Sequence, residues 1–151
     1  MELGMALGIM GAAIAFGLAA AGCGIAMGMI GQAAAGVVAE DPRKFGQTLV
    51  LQAVGSTSGI YGLLIGFLIL TRALQVTDVS TGIALLVAGI PMGVVGCVAS
   101  IGQGRALAAG VILIGKKSGE MAKALIYAAM VETMQIFGLL LSFLMYLNVE
   151  V

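Results

Sequence analysis

The chain has 151 residues, of which 61% are hydrophobic and 9% charged, with a net charge of zero and a mean hydropathy of +1.16. A soluble globular domain is charged at about 25% of its positions, so the composition excludes one and describes an integral membrane protein. Zero net charge without a basic patch excludes nucleic acid as a partner, and a chain without His whose two cysteines, Cys23 and Cys97, lie in apolar runs offers no His/Cys metal cluster or disulfide framework.

Four apolar runs follow one another: Leu3 to Ala39, Phe45 to Thr71, Val79 to Gly104 and, Glu132 apart, Ala124 to Val149. Roughly 20 apolar residues cross the hydrocarbon of a bilayer as a helix, and lipid offers no partner to a free backbone group. Four transmembrane helices are therefore predicted. The first begins in MELGMALGIMG, which has an acid and no Lys or Arg ahead of its apolar run, so it reads as a helix start and not as a cleaved signal peptide. It is rich in Gly and Ala, with Gly4 and Gly8, and Gly24 and Gly28, spaced for close helix approach.

AEDPRKFG (Ala39 to Gly46) leads into the second span, which carries Thr57 and Ser58 and ends at Arg72. The third span contains Gly89 and Gly93 at the same spacing, Pro91, where a bend is expected, and then Gln103 and Arg105. GKKSGE (Gly115 to Glu120) turns the chain into the fourth span, AAMVETMQIFGLLLSFLM, with Glu132 inside it. Arg43, Lys44, Lys116, Lys117 and Lys123 put loops 39–46 and 115–120 on the cytoplasmic side of a multi-pass cell-membrane protein, with the termini and the Arg72 to Asp78 loop opposite. The first and third spans are small-residue rich and the second and fourth carry Leu, Ile and Phe, which suggests an inner and an outer layer. Generic packing of one four-helix bundle is the other arrangement. The ten methionines and both cysteines read as packing residues.

The spans repeat. GCGIAMGMIGQAAAG lies over GCVASIGQGRALAAG at an offset of 74, and IYGLLIGFLIL over IFGLLLSFLMY at an offset of 76. The chain is thus a duplicated helical hairpin: residues 1–75 form a first hairpin without a carboxylate, and residues 76–151 a second that carries Glu132. In this alignment Glu132 falls opposite Ser56, leaving one acid per four helices.

Glu132 lies 14 residues past Ser118, which is roughly 20 Å along a helix and close to the bilayer midplane. Gln103 lies 15 residues before Ser118, and Thr57 and Ser58 lie 15 and 16 residues past Pro42. Four polar side chains from three spans thus share one level. An ionised carboxylate there costs about 2.5 kcal/mol or more, so it holds a proton, a counter-ion or a coordinated cation. Arg105 is the nearest basic residue, but two residues turn a helix by about 200°, so it faces away from Gln103. The remaining reading is an ion-carrier site of Glu132 with oxygens from Gln103, Thr57 and Ser58; an Arg105–Glu132 structural pair, and hydroxyls bonded back to their own helix, are its alternatives.

EDPRKFGQTLVLQ, STSGIYGLLIGFL, SIGQGRALAAG and AAMVETMQIFG, set in a duplicated hairpin, make essentially the whole chain similar to the proteolipid K subunits of the rotor ring of bacterial V-type (A/V-type) ATPases. The resemblance implies a two-layered ring of identical subunits embedded in lipid. ATP hydrolysis in a separate soluble head turns that ring, through central-stalk rotor subunits, against a membrane stator that supplies an Arg. It implies no catalysis by the chain itself and no organic cofactor. It makes Glu132 the essential carboxylate and Gln103 the third-span ligand. It adds the Val54 carbonyl, Thr57 and position 58 as second-span ligands, and Tyr61 as a hydrogen-bond partner of the acid. Ser58 stands where sodium-transporting members have Gln, and Gly55 where they have Pro. Glu132, Gln103, Thr57 and the Val54 carbonyl supply four oxygens, with Ser58 or a water to complete the shell, so Na+ is favoured as the cargo over H+. A small four-helix secondary transporter and a structural membrane proteolipid are the alternative functions.

Overall fold

The computed structural model describes residues 2–149; Met1, Glu150 and Val151, and with them the extreme ends whose sidedness was expected from the loops, lie outside the described residues. Five α-helices make the four spans: α1 (Glu2–Glu40), α2 (Phe45–Val54) and α3 (Thr57–Ala73), which share the second span, α4 (Val79–Lys116) and α5 (Met121–Leu147). Short 3-10 turns at Pro42–Lys44 and Ser118–Glu120 join the spans at one end. The 39-residue α1 is roughly 58 Å long at 1.5 Å per residue, well beyond a hydrocarbon layer of ~30 Å. It therefore tilts or projects past the lipid.

The second span is broken, which the sequence did not lead us to expect. The Gly55 amide donates to Gln52 O (3.1 Å) and the Ser56 amide to Ala53 O (3.1 Å), so the chain tightens into i→i−3 turns here. Two hydroxyls bond back to the chain here: Ser56 Oγ donates to Ala53 O (2.7 Å), the acceptor of its own amide, and Thr57 Oγ1 to Val54 O (3.2 Å). Gly next to Ser is a recurrent place for a helix to break. At Pro91, by contrast, α4 runs through without interruption, and the neighbouring Met92 amide donates to Ser142 Oγ of α5 at 2.9 Å.

The dominant packing is α1 on α4, flanked by α3 and α5. Glycine makes it possible. A Cβ on Gly89 would fall within 3 Å of the Gly11 backbone, and one on Gly22 within 3 Å of the Cys97 backbone. Gly4, Gly8, Gly89 and Gly93 thus pack as their spacing suggested, whereas Gly24 and Gly28 face open space in the single chain. Two apolar cores result. One contains Ala15, Ala19, Ile65, Ile69, Leu85 and Met92; the other contains Ile30, Leu51, Leu107, Val111, Ala124 and Ala128.

Two basic residues of the first hairpin fasten it to the second at opposite ends. Lys44 Nζ donates to Ile114 O (2.8 Å), in the last turn of α4, and to Ser118 Oγ. Arg72 donates to Tyr146 O and Val149 O (both 2.6 Å) and lies over the Tyr146 ring at 4.6 Å. Cations suit both positions because the last carbonyls of a helix lack intrahelical partners and carry its negative pole. Asp78 caps the start of α4, and the Ser80 hydroxyl and Thr81 amide hold its carboxyl down to about 2.

Gly89→Leu should separate α1 from α4. Overpacking of this kind costs about 1–3 kcal/mol or more, and we expect the detergent-solubilised protein to melt at lower temperature and lose its assembled form on a native gel. Gly119→Ala, in the loop with open space around it, should leave both unchanged.

Candidate ion site at mid-membrane

Between the two apolar cores lies a polar level built from three spans. α3 contributes Ser58 and Tyr61, with Thr57 at its first residue and Val54 just across the break; α4 contributes Ser100 and Gln103; α5 contributes Glu132 and Gln135. Hydrocarbon supplies no hydrogen-bond partner, so each group must find one inside the protein.

Glu132 is half-buried, and the Tyr61 hydroxyl donates to its Oε1 at 2.9 Å. Among the described residues the ion pairs are Arg43–Asp41 and Lys123–Glu120. The Arg105–Glu132 pair is not formed, and Arg105 is exposed. No group of three or more His, Cys, Asp or Glu side chains capable of holding a metal occurs among the described residues. Among the described residues, then, no cation pairs with the acid.

The other expected ligands divide into three pairs. Thr57 Oγ1 lies 3.2 Å from the Val54 carbonyl, to which it donates, so the back-bonding alternative is realised; it also puts two oxygens side by side at the helix break. Ser58 is fully buried and hydrogen-bonded to Ser100 Oγ, which also donates to Gly96 O. Gln103 is fully buried and accepts from Gln135 Nε2 at 2.9 Å. The structure thus brings Tyr61 to Glu132 and Thr57 to Val54, but gives Ser58 and Gln103 partners that the sequence did not announce.

Those partners, Ser100 and Gln135, were missed although a signal was present. Ser100 precedes Gln103 by three residues and Gln135 follows Glu132 by three, the spacing that stacks side chains on one helix face. Distance from the loops sets the level, and the helical period sets which residues at that level face one another. Cys23, buried beneath the break, directs its thiol toward Gly55 O at 3.7 Å and is free, as is Cys97.

Comparison with known proteins gives a consistent picture. The sequence profile of the ATP synthase C-subunit family matches twice, over residues 10–69 and 86–145, so the second pair of spans repeats the first. The chain is 39% identical over 145 residues to V-type sodium ATPase subunit K of Enterococcus hirae, covering 96% of this chain and 93% of that one. It is 40% identical over 143 residues to A-type ATP synthase subunit K of Methanocaldococcus jannaschii, covering 95% of this chain and 63% of that longer one.

Tyr61→Phe removes the hydrogen bond that the Tyr61 hydroxyl donates to Glu132. The freed carboxyl should react two- to fivefold faster with dicyclohexylcarbodiimide at pH 7 in sodium-free buffer, read by mass spectrometry of the labelled chain.

Proposed function

Because the chain belongs to the ATP synthase C-subunit family, we propose that Glu132 carries one cation each time the ring of identical subunits turns past a stationary membrane subunit. The chain is an ion-translocating subunit of a rotary ATPase and is not catalytic alone. The observation that carries the reading is the unpaired acid at the polar level, held by Tyr61 at 2.9 Å between two apolar cores. A carboxylate in lipid needs its charge neutralised, and a carrier does so with its cargo.

Sodium is the favoured cargo over the proton. A hard cation needs a shell of several oxygens, and in this reading the Val54 carbonyl, Thr57, Gln103 and Glu132 supply four of them. Ser58 is the weakest member, because its short side chain is fully buried and bonded to Ser100 in the interior. The name of the Enterococcus hirae relative, a sodium ATPase subunit, points the same way. The reading needs no organic cofactor.

In this reading residues 1–75 form the scaffold hairpin and residues 76–151 the ion-carrying one. α1 and α4 make the inner layer of the ring, where the open faces of Gly24 and Gly28 leave room for a neighbouring subunit, and α3 and α5 the lipid-facing layer. Loops 39–46 and 115–120 face the cytoplasm and meet central-stalk rotor subunits, through which an ATP-hydrolysing head drives rotation. At the stator a fixed cationic side chain displaces the ion. A secondary transporter or a structural proteolipid has no observation in its favour beyond four apolar spans.

Glu132→Gln tests the reading. The variant ring should assemble normally on a gel, yet lose carbodiimide labelling at this position and more than 95% of ion transport in the reconstituted complex. In the unaltered ring, NaCl but not KCl should protect Glu132 from the reagent; full transport by Glu132→Gln would refute the carrier role.

A further inference from the structure

The Gln103–Gln135 pair satisfies only half of its polar atoms. Both side chains are fully buried, and after Gln135 Nε2 has donated to Gln103 Oε1 at 2.9 Å, Gln135 Oε1 and Gln103 Nε2 have no partner. Buried polar atoms are nearly always satisfied in folded proteins, and at the depth of lipid a vacancy is costly. Exchanging oxygen and nitrogen in both amides does not remove the deficit: one N–H and one oxygen are still left over. As placed, the free oxygen is Gln135 Oε1 and the free donor Gln103 Nε2; with both amides exchanged the free oxygen is that of Gln103, which the shell above already counts.

Glu132 stands three residues before Gln135 on α5, so the two side chains share a helix face less than one turn apart. A carboxylate with a bound cation presents both missing complements, an acceptor for the N–H and a charge for the oxygen. The shell proposed above also lacks an oxygen: Ser58 has a short side chain and its hydroxyl is engaged by Ser100 in the interior. Resting on the reading of Glu132 as a sodium carrier, we infer that the Gln135 amide oxygen is a further ligand of the transported sodium ion. It supplies from α5 the contact that position 58 does not supply from α3, and Gln103 orients it.

The inference is tested on the purified ring by measuring the NaCl concentration that half-protects Glu132 from dicyclohexylcarbodiimide, with KCl as control, in unaltered protein and in Gln135→Met, which keeps the length and loses the amide. The rate of labelling against pH in sodium-free buffer is measured in parallel. We expect the half-protecting concentration to rise at least tenfold while the sodium-free pH curve stays in place. Gln135→Asn, which retracts the oxygen by one methylene, should raise it about threefold and carries the test if the Met variant does not form rings. A half-point within twofold of the unaltered ring in the variant that assembles overturns the inference and leaves Gln135 an interhelical strap. A shift confined to the sodium-free pH curve also overturns it, because the amide then contacts a protonated carboxyl. If the unaltered ring shows no protection by sodium, the sodium reading itself fails, and this inference with it.

Discussion

A polar side chain placed at the centre of a bilayer has no solvent to fall back on, and the middle of this protein is organised by that constraint. Water would forgive a serine or glutamine that pointed nowhere; hydrocarbon does not. Ser58 therefore meets Ser100, Gln103 meets Gln135, and Tyr61 meets Glu132. Each pair bridges different helices, so the partnerships that satisfy polar atoms also fix the helices at one level. The apolar cores on either side confine that level to a thin slab.

The break between α2 and α3 belongs to the same slab. A regular helix uses each carbonyl internally, and at Ala53 and Val54 hydroxyls have come in to share them. Irregular backbone at membrane depth is tolerated where it is buried in protein or lines a cavity, and oxygens that side chains can approach are open to other partners as well. Close packing elsewhere frames the break. α1 and α4 touch backbone to backbone at Gly11–Gly89 and Gly22–Cys97, while Lys44 and Arg72 pin the hairpins together near the two ends.

Much of the fold was legible because membrane physics leaves few choices. Four long apolar runs have one solution in lipid, and the repeat of IYGLLIGFLIL in IFGLLLSFLMY made the duplication visible from the residues alone. Glu132 was legible for the opposite reason, since nothing apolar explains it. Depth follows from the loops but direction does not, so the sequence offers Ser58 as a candidate ligand whereas the structure bonds it to Ser100 in the interior. Gln135 was passed over as one polar residue in a long span. Gly55 gave no warning of a break, because glycine recurs throughout this chain, and only its combination with two competing hydroxyls interrupts the helix.

The missing acid of the first hairpin has a mechanical meaning. The circumference of a ring is set by how many helices it contains, and here Ser56 occupies the place where a second carboxylate would stand. With Glu132 as the carrier proposed above, such a ring moves half as many ions per revolution as one of equal girth with an acid in every hairpin. For a fixed amount of work per revolution, each ion receives twice as much and can be driven up a gradient twice as steep in free energy. In that reading a single side chain sets the gear of the ring, trading ions moved per revolution for force on each ion.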